Sequence, residues 1–375
     1  MIEVRPVETA RDRRDFIRFP AKLYRTDPHW APPLWREQKR LLDPERGPFF
    51  RHGEASLFVA TRDGQPVGRI SAHIDRRRDE IHADGKGFFG FFDCEDDREV
   101  AQELACSAEA WLRSRGCTSI EGPFNFTVHD DLGVLVEGFD SIPYVLTTYN
   151  KPYYARLLEE AGYQKVIDWH AFRTDPEMAM SGWPHRLDEL RERVLRRPSF
   201  EIRQIDLEEF DENAQLVKRV FNSAWEDSWD HVPMGDAEFL EIAEGLRHLI
   251  IPELSFFAVV DGVPVGFVVS VRDPNPALRR ARGRLLPLGW FHLWRTLSRR
   301  GRFRVMLLGV LPPHRGRGYE IVLYTEVIFR AIELGYPEAE MSVVEEGNVT
   351  MSKAFSRFPC ERYRTYRIFA KRLRP

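Results

Sequence analysis

Two stretches of the chain share one pattern of hydrophobic and polar positions. Residues 56–75 and 254–273 each contain an apolar, β-rich run, the turn Asp-Gly-x-Pro-Val-Gly, and a second β-rich run. With Asp63 aligned on Asp261, 6 of the 13 residues from that Asp onward are identical. Asp-Gly between two such runs is a strong hairpin signal, because the turn needs positive φ. The pattern therefore predicts two similar antiparallel hairpins, one in each half.

The segments around the hairpins repeat as well. Each half begins with a short strand and an amphipathic helix, and each hairpin is followed by a strand, a helix, a strand, a helix and a closing β-rich run. The shared order β-α-β-β-β-α-β-α-β predicts an α/β (α+β) fold of two tandem domains, each a mixed, mostly antiparallel sheet flanked by helices. We place these domains at residues 1–175 and 200–375, joined by a helix-containing linker at 176–199.

The composition supports two hydrophobic cores and excludes several classes of protein. Of the 375 residues 43% are hydrophobic, and 55 Lys and Arg against 58 Asp and Glu give a net charge of −3. This excludes a disordered chain and a globally basic nucleic-acid coat. The four cysteines lack metal-finger spacing, which predicts reduced thiols and no metal site. A charged N-terminal segment and the lack of an apolar run of roughly 18–20 residues predict a cytoplasmic protein.

The two halves differ after the hairpin, at the point where the next strand ends and the following helix begins. In the second half, a β-rich run at 302–311 leads into a turn formed by Arg315, Gly316, Arg317 and Gly318. Backbone amides at a helix start, with glycines that permit close approach, suit a phosphate or pyrophosphate. The matching place in the first half carries acids at 95–97, which would repel a phosphate. The sequence therefore predicts an anion site in the second half only.

The segment 309–320, GVLPPHRGRGYE, resembles the acyl-CoA signature of GCN5-related N-acetyltransferases (the GNAT superfamily), Val-x-Pro-x-x-Arg-Gly-x-Gly-x-Gly. The resemblance implies acetyl-CoA or a longer acyl-CoA as co-substrate, with its pyrophosphate on the turn and its pantetheine arm along the preceding strand. The residues implied for this are Leu308, Gly309, Val310, Arg315, Gly316, Arg317 and Gly318. Glu320 departs from the signature, which has Gly or Ala there, and a carboxylate at this place would weaken pyrophosphate binding or point outward.

A later motif of the superfamily is matched only in part. Asn348 corresponds to an Asn that is followed seven residues on by a Tyr, often the general acid for the departing thiolate. We include Asn348 in the expected co-substrate site. Phe355 stands at the position of that Tyr and has no hydroxyl, so the role of general acid does not carry over.

Further segments resemble a narrower group, bacterial tandem GNAT proteins with a degenerate first domain that lacks the phosphate turn. These segments are 88–92, 122–139, 149–154, 283–290 and 363–369. Some members are thought to act as ceramide synthases. The resemblance implies an N-acyltransferase that transfers the acyl group by direct attack of an amine, with a long-chain, sphingoid-type amine as the specific acceptor. Two alternatives remain: a degenerate, non-catalytic CoA-binding or sensing protein, and an aminoacyl-tRNA-dependent transferase, although the net charge argues against nucleic acid.

Direct attack by an amine requires a group that removes its proton. The candidates for this base are Asp273, Glu346 and His231, and Tyr324 is the candidate proton donor. Each has a structural alternative. Asp273 would cap a turn in Asp-Pro-Asn-Pro, and Glu346 would be a solvated strand end. His231 would lie on the surface or pack in the core, and Tyr324 would pack in the core.

Aromatic and polar residues elsewhere also leave alternatives open. Trp225 and Trp229 are four residues apart, so they would share one helix face if the helix extends through both. Their rings would then either pack in the domain core or form a wall beside an acyl or amine chain. Segment 122–139 would form either an acceptor wall or a long ordered loop.

An arginine-rich segment breaks the overall charge balance. Between Arg279 and Arg304 there are nine arginines and no acid, around the apolar run LLPLGWFHLW. This run is too short to span a bilayer. We weigh a solvated surface arm, peripheral contact with anionic lipid at the inner face of the membrane, and contact with CoA phosphates or RNA. The lipid interpretation agrees with a lipid-amine acceptor.

Overall fold

The computed structural model describes residues 1–226, 228–356 and 358–373. Its internal contacts divide the chain into two compact units. Unit 1 contains Met1–Trp169, Asn275–Leu293 and the C-terminal segment from Arg364, and unit 2 contains His170–Pro274 and Trp294–Tyr363.

The first half of the chain follows the predicted order of elements. It forms β1 (Ile2–Pro6), α1 (Ala10–Leu23), α2 (Trp35–Leu41), a short 3-10 helix (Pro48–Arg51), β2 (Gly53–Arg62), β3 (Gln65–Asp75), α3 (Arg76–His82), β4 (Lys86–Cys94), α4 (Arg98–Arg113), β5 (Ser119–Gly122), β6 (Val134–Glu137), α5 (Tyr154–Glu160) and β7 (Gln164–Thr174). The predicted linker consists of α6 (Pro176–Ser181) and α7 (His185–Leu195).

The second half repeats this order except for β6, which has no counterpart among its described strands. It forms β8 (Phe200–Gln204), α8 (Phe210–Ala224), α9 (Asp236–Leu246), a 3-10 helix (Pro252–Leu254), β9 (Phe256–Val260), β10 (Val263–Arg272), α10 (Asn275–Ala281), α11 (Gly289–Leu297), β11 (Phe303–Val310), a 3-10 helix (Pro312–His314), α12 (Tyr319–Leu334), β12 (Ala339–Glu345), α13 (Val349–Phe355) and β13 (Glu361–Arg372). The predicted α/β class is confirmed.

Both predicted hairpins are present with the turn geometry that Asp-Gly favours. Asp63 and Gly64 have φ of 51° and 75°, and Asp261 and Gly262 have φ of 50° and 78°. Positive φ at both positions matches the twist of the strands that the turn connects. The register places Arg62 opposite Gln65 and Val260 opposite Val263.

Each unit is built on a mixed, mostly antiparallel sheet. In unit 1 the strands lie in the order β1-β2-β3-β4-β5-β13, with β6 also beside β13. Of these strand pairs, as far as the structure describes them, only β4 and β5 are parallel. In unit 2 the order is β12-β11-β10-β9-β8, and among these four described pairs only β11 and β12 are parallel.

The C-terminal strand of the chain completes the sheet of unit 1. Phe369 of β13 lies opposite Gly122 of β5, and Tyr366 lies opposite Leu135 of β6. The compact units therefore differ from the two halves of the sequence repeat, because a strand from the second half stands in the first sheet. The division of the chain between the units falls inside β7, between Trp169 and His170.

Each unit has its own hydrophobic core. In unit 2, α12 packs its buried face on the sheet, and Leu187 and Val194 of α7 join this core. In unit 1, α4 and α5 cover one cluster, and a second cluster gathers Phe16, Phe49 and Phe126. Across the described residues, no helix combines the length and the apolar character needed to cross a bilayer.

Candidate functional site

The glycine turn of unit 2 lies at the start of α12. Gly316 and Gly318 have φ of 70° and 89°. Gly318 is the residue before the helix and, as a glycine, has no side chain with which to cap the amides of the first turn. A Cβ on Gly318 would lie 3.1 Å from Val194 and 3.4 Å from Leu190, so both the backbone and the close approach of α7 require glycine. The start of α12 therefore presents backbone amides toward which an anion can bind.

The corresponding helix of unit 1 is capped by its own carboxylate. The side chain of Asp97 accepts hydrogen bonds from the amides of Glu99, at 2.8 Å, and Val100, at 3.3 Å. Arg62 pairs with the same carboxylate. Asp97 thus satisfies the amides that a phosphate would otherwise bind.

A cleft opens in the sheet of unit 2 beside the glycine turn. In the described structure, β11 and β12 share only the pairs Phe303–Ala339 and Arg304–Glu340, at their N-terminal ends. Beyond them, β11 has a bulge at Met306, because Val305 and Leu307 lie opposite consecutive residues of β10. The side chains from Met306 to Leu308 are partly exposed. The edge of β11 that faces the cleft is available to an extended ligand, and it leads to the turn.

In unit 1 the equivalent edge is covered by the chain itself. β4 and β5 pair from Lys86–Ser119 to Phe88–Glu121. After that point, the amide of Phe124 donates to the oxygen of Phe89 at 2.8 Å, and the Asn125 side chain accepts from the amide of Phe91 at 2.9 Å. A Cβ on Gly90 would lie 1.7 Å from the oxygen of Phe124. In segment 122–139, residues 124 and 125 thus fill the cleft of unit 1.

Comparison with known proteins identifies the fold and the family. No family model matches the chain. It is 36% identical to the bacterial ceramide synthase of Caulobacter vibrioides (strain NA1000 / CB15N), over 99% of this chain and 98% of that protein. It is 33% identical to protein YghO of Escherichia coli (strain K12), over 99% and 95%. The chain belongs to the tandem GNAT family of these two proteins.

Solved structures agree with this family at the level of the fold. A tandem GNAT protein from the clavulanic acid biosynthesis pathway has a TM-score of 0.60 at 15% identity and covers 100% of this chain and 99% of that chain. A GCN5-related N-acetyltransferase from Sphaerobacter thermophilus has a TM-score of 0.53 at 17% identity, with coverages of 100% and 96%. The resemblance found in the sequence is confirmed.

The two arginines of the GNAT turn have different surroundings. Arg315 donates to the oxygen of Ala224 at 2.6 Å and to that of Val310 at 3.3 Å, so it fastens the end of β11 to the end of α8. Arg317 is exposed and forms no ion pair with any residue that the structure describes. Arg317 is therefore the arginine that can reach a phosphate, while Arg315 holds the turn.

The predicted helix face of Trp225 and Trp229 is absent from the structure, because α8 ends at Ala224. A Cβ on Gly309 would lie 2.7 Å from the ring of Trp225. Trp225 thus covers β11 on the α8 side, and its ring centroid lies 6.4 Å from that of Phe267. This contact favours packing for Trp225.

Asp273 lies far from the glycine turn, in a buried ion pair. Its carboxylate accepts from Nε of Arg302 at 2.5 Å, and its side chain is fully buried. Phe303 and Val310, at the two ends of β11, are separated by roughly 23 Å, and Asp273 adjoins the Phe303 end. Arg302 thus holds this carboxylate in the interior of unit 2. The structure thus favours the structural alternative for Asp273.

Glu345, which the sequence analysis missed, has the properties expected of a base. It ends β12, where β12 has separated from β11, and it is partly buried. Burial raises the pKa of its carboxyl group, against the opposing effect of a 3.4 Å hydrogen bond from the amide of Trp229. The neighbouring Glu346 is exposed. Two adjacent glutamates look alike in sequence, and the structure distinguishes them because β12 ends at Glu345 and Glu346 lies in the turn that follows.

The remaining candidates occupy well-packed positions. Burial raises the pKa of Tyr324, whose hydroxyl donates to the oxygen of Met341 at 3.5 Å, so this phenol stays protonated in the core. His231 is 9% exposed, with its ring 6.1 Å from that of Phe221. Asn348 accepts from the amide of Met351 at 3.0 Å and caps α13.

Phe355 is fixed in an aromatic stack. Its ring is parallel to that of Phe172, with 4.5 Å between the centroids, and Tyr324 lies edge-on at 5.5 Å. Among the described residues, no cluster of His, Cys, Asp and Glu could hold a metal ion.

Proposed function

We propose that the protein is an acyl-CoA-dependent N-acyltransferase. The observation that carries this proposal is the cleft between β11 and β12, which runs from the Arg304–Glu340 pair to an uncapped helix start at Gly318. A strand edge followed by free amides suits a ligand with an extended amide-containing arm and a pyrophosphate, as in CoA. The unit 1 cleft is filled, so one acyl-CoA would bind per chain.

In this proposal the co-substrate lies along β11. The pyrophosphate binds the amides at Gly316–Gly318 and the first turn of α12, with Arg317 as the charged partner. The pantetheine arm follows Leu308, Gly309 and Val310. The thioester then reaches the bulge at Met306, where the extra residue of the strand stands outside the ladder with β10. In this proposal the backbone amide of Met306 donates a hydrogen bond to the thioester oxygen as negative charge develops on that oxygen.

The reaction is a direct transfer. A neutral amine attacks the thioester carbonyl, the C–N bond forms, and the C–S bond of the tetrahedral intermediate breaks. An alkylammonium has a pKa of about 10 and cannot attack until it loses a proton. We assign this proton to Glu345, directly or through water, because burial raises the pKa of its carboxyl group. The CoA thiolate leaves and takes its proton from solvent, since Phe355 has none to give, and the positively charged nitrogen of the intermediate releases its remaining extra proton to solvent.

We propose a long-chain amine of the sphingoid type as the acceptor. The support is the name of the Caulobacter relative, ceramide synthase. Such an amine is itself a membrane component. The proposal therefore includes peripheral contact between a cytoplasmic protein and a membrane, through part of the segment 279–304.

The proposal is tested by measuring binding and turnover separately. Calorimetry with CoA thioesters from acetyl to palmitoyl should show one site per chain, and mass spectrometry with amine mixtures should detect an amide. Binding without any amide product would leave the non-catalytic CoA-binding alternative, which the buried Phe355 favours. Transfer only from aminoacyl-tRNA would show that the donor is wrong.

A further inference from the structure

Four large apolar side chains of unit 1 are exposed within six positions. Leu286, Leu288, Trp290 and Phe291 have exposed fractions of 77%, 64%, 54% and 38%. Single exposed apolar residues are ordinary on a protein surface, but a contiguous group of them marks an interaction site. We call residues 279–291 the basic apolar patch.

The backbone of this patch is held firmly by unit 1. The amide of Trp35 donates to the oxygen of Gly283 at 3.1 Å, and the guanidinium of Arg284 lies 4.4 Å from the centre of the Trp35 ring. Asn275, just before the patch, donates to the oxygen of Pro143 at 3.0 Å. The patch is therefore a fixed feature of the surface, and its exposed apolar side chains lie on an ordered turn and on the first residues of α11.

The positive charge beside these apolar groups is uncompensated. Arg279, Arg280 and Arg282 are exposed, and none of them forms an ion pair with a described residue. The sequence contains no Asp or Glu between residues 279 and 304. Arg302 and Arg304, by contrast, are engaged in ion pairs with buried carboxylates of unit 2. The patch thus carries a net positive charge of its own.

We infer that the basic apolar patch docks on an anionic lipid bilayer. Tryptophan and leucine side chains partition into the interfacial region of a membrane, while neighbouring arginines contact anionic head groups. A nucleic acid would match the arginines but would leave Leu286 and Leu288 without a partner. The inference rests on the proposed function for its purpose, since docking would bring the enzyme to a lipid-amine acceptor.

The test measures sedimentation of the full chain with sucrose-loaded vesicles of phosphatidylcholine alone or with phosphatidylserine added. We expect binding to the anionic vesicles that weakens with salt. Arg280→Glu with Arg282→Glu should weaken it at least about tenfold, and Leu288→Ser with Trp290→Ser should remove the binding that persists at high salt. Acyl-CoA affinity in solution should stay unchanged in both variants, which separates this inference from the proposed function.

Matched controls lie on unit 2. Arg186→Glu with Arg193→Glu changes the net charge equally, and both of these arginines are exposed. Met180→Ser and Val263→Ser remove apolar side chains with exposed fractions of 64% and 54%. Equal loss in the patch and control variants, no vesicle binding by the wild-type chain, or retention on RNA but not on vesicles would overturn the inference.

Discussion

Arg304 and Glu340 form a buried ion pair at the last position where β11 and β12 lie side by side. The guanidinium Nε is 3.0 Å from the carboxylate, and the side chains are 8% and 0% exposed. Beyond this pair the strands separate, so the pair marks the inner end of the proposed acyl-CoA cleft.

Breaking this pair should destabilise unit 2 strongly. Glu340→Ala leaves a buried guanidinium without its carboxylate, and we expect a loss of about 3–5 kcal/mol in the free energy of unfolding. The double variant Arg304→Met with Glu340→Met removes both charges and should recover most of that loss. Urea unfolding of both variants measures the difference, and equal loss in the single and double variants would show that the charges are not coupled.

Replacing Gly318 should lower both the stability of unit 2 and the affinity for acyl-CoA. Gly318→Ala places a side chain at φ of 89° and against Val194, so we expect about 1–2 kcal/mol of lost stability. The close approach to the pyrophosphate is also lost, so acyl-CoA affinity should fall at least about tenfold. Gly64→Ala is the matched control, because Gly64 has φ of 75° in open space. It should lose similar stability and keep its affinity in calorimetry.

Glu345→Gln should change the pH dependence of the reaction. The base must be deprotonated, and burial raises the pKa of Glu345 above that of an exposed glutamate. The acid limb of kcat/KM should therefore fall at a higher pH than usual, and the variant should lose both rate and this limb. Glu346→Gln, at an exposed neighbour, should leave the profile unchanged. A wild-type limb retained by the Glu345 variant would remove Glu345 from the mechanism.

The filled cleft of unit 1 predicts one CoA site per chain. Calorimetry should give a stoichiometry of one. Asn125→Ala removes the side-chain oxygen that accepts from the amide of Phe91, and this buried amide then lacks a partner, so we expect a loss of about 1–3 kcal/mol. The variant should still bind a single CoA, because Asp97 continues to cap α4. A second site in the wild-type chain would contradict this account of unit 1.

Local signals in the sequence were sufficient for the fold class and for the glycine turn. Asp63 and Asp261 mark their hairpins because the turn needs positive φ, and Gly318 stands where a strand meets a helix. Contacts between distant segments could not be predicted in the same way. Pairing of Phe369 with Gly122 and the ion pair of Asp273 both depend on which segments meet after folding, and no local pattern encodes that.

His73 should contribute a pH-dependent term to the stability of unit 1. It is fully buried beside Phe49 and Phe126, and burial lowers the pKa of its imidazole from the usual 6.5 to about 3. Between these two pH values the His73 imidazole binds a proton in the unfolded chain and not in the folded chain. The free energy of unfolding therefore falls as the pH drops from 6.5 toward 3. Over that window the term amounts to about 1.4 kcal/mol per pH unit. We expect the free energy of unfolding of the variant His73→Phe, measured in urea, to fall less steeply with decreasing pH, by the same amount of about 1.4 kcal/mol per pH unit. If the free energy of unfolding fell equally steeply in both proteins, His73 would accept its proton in the folded state.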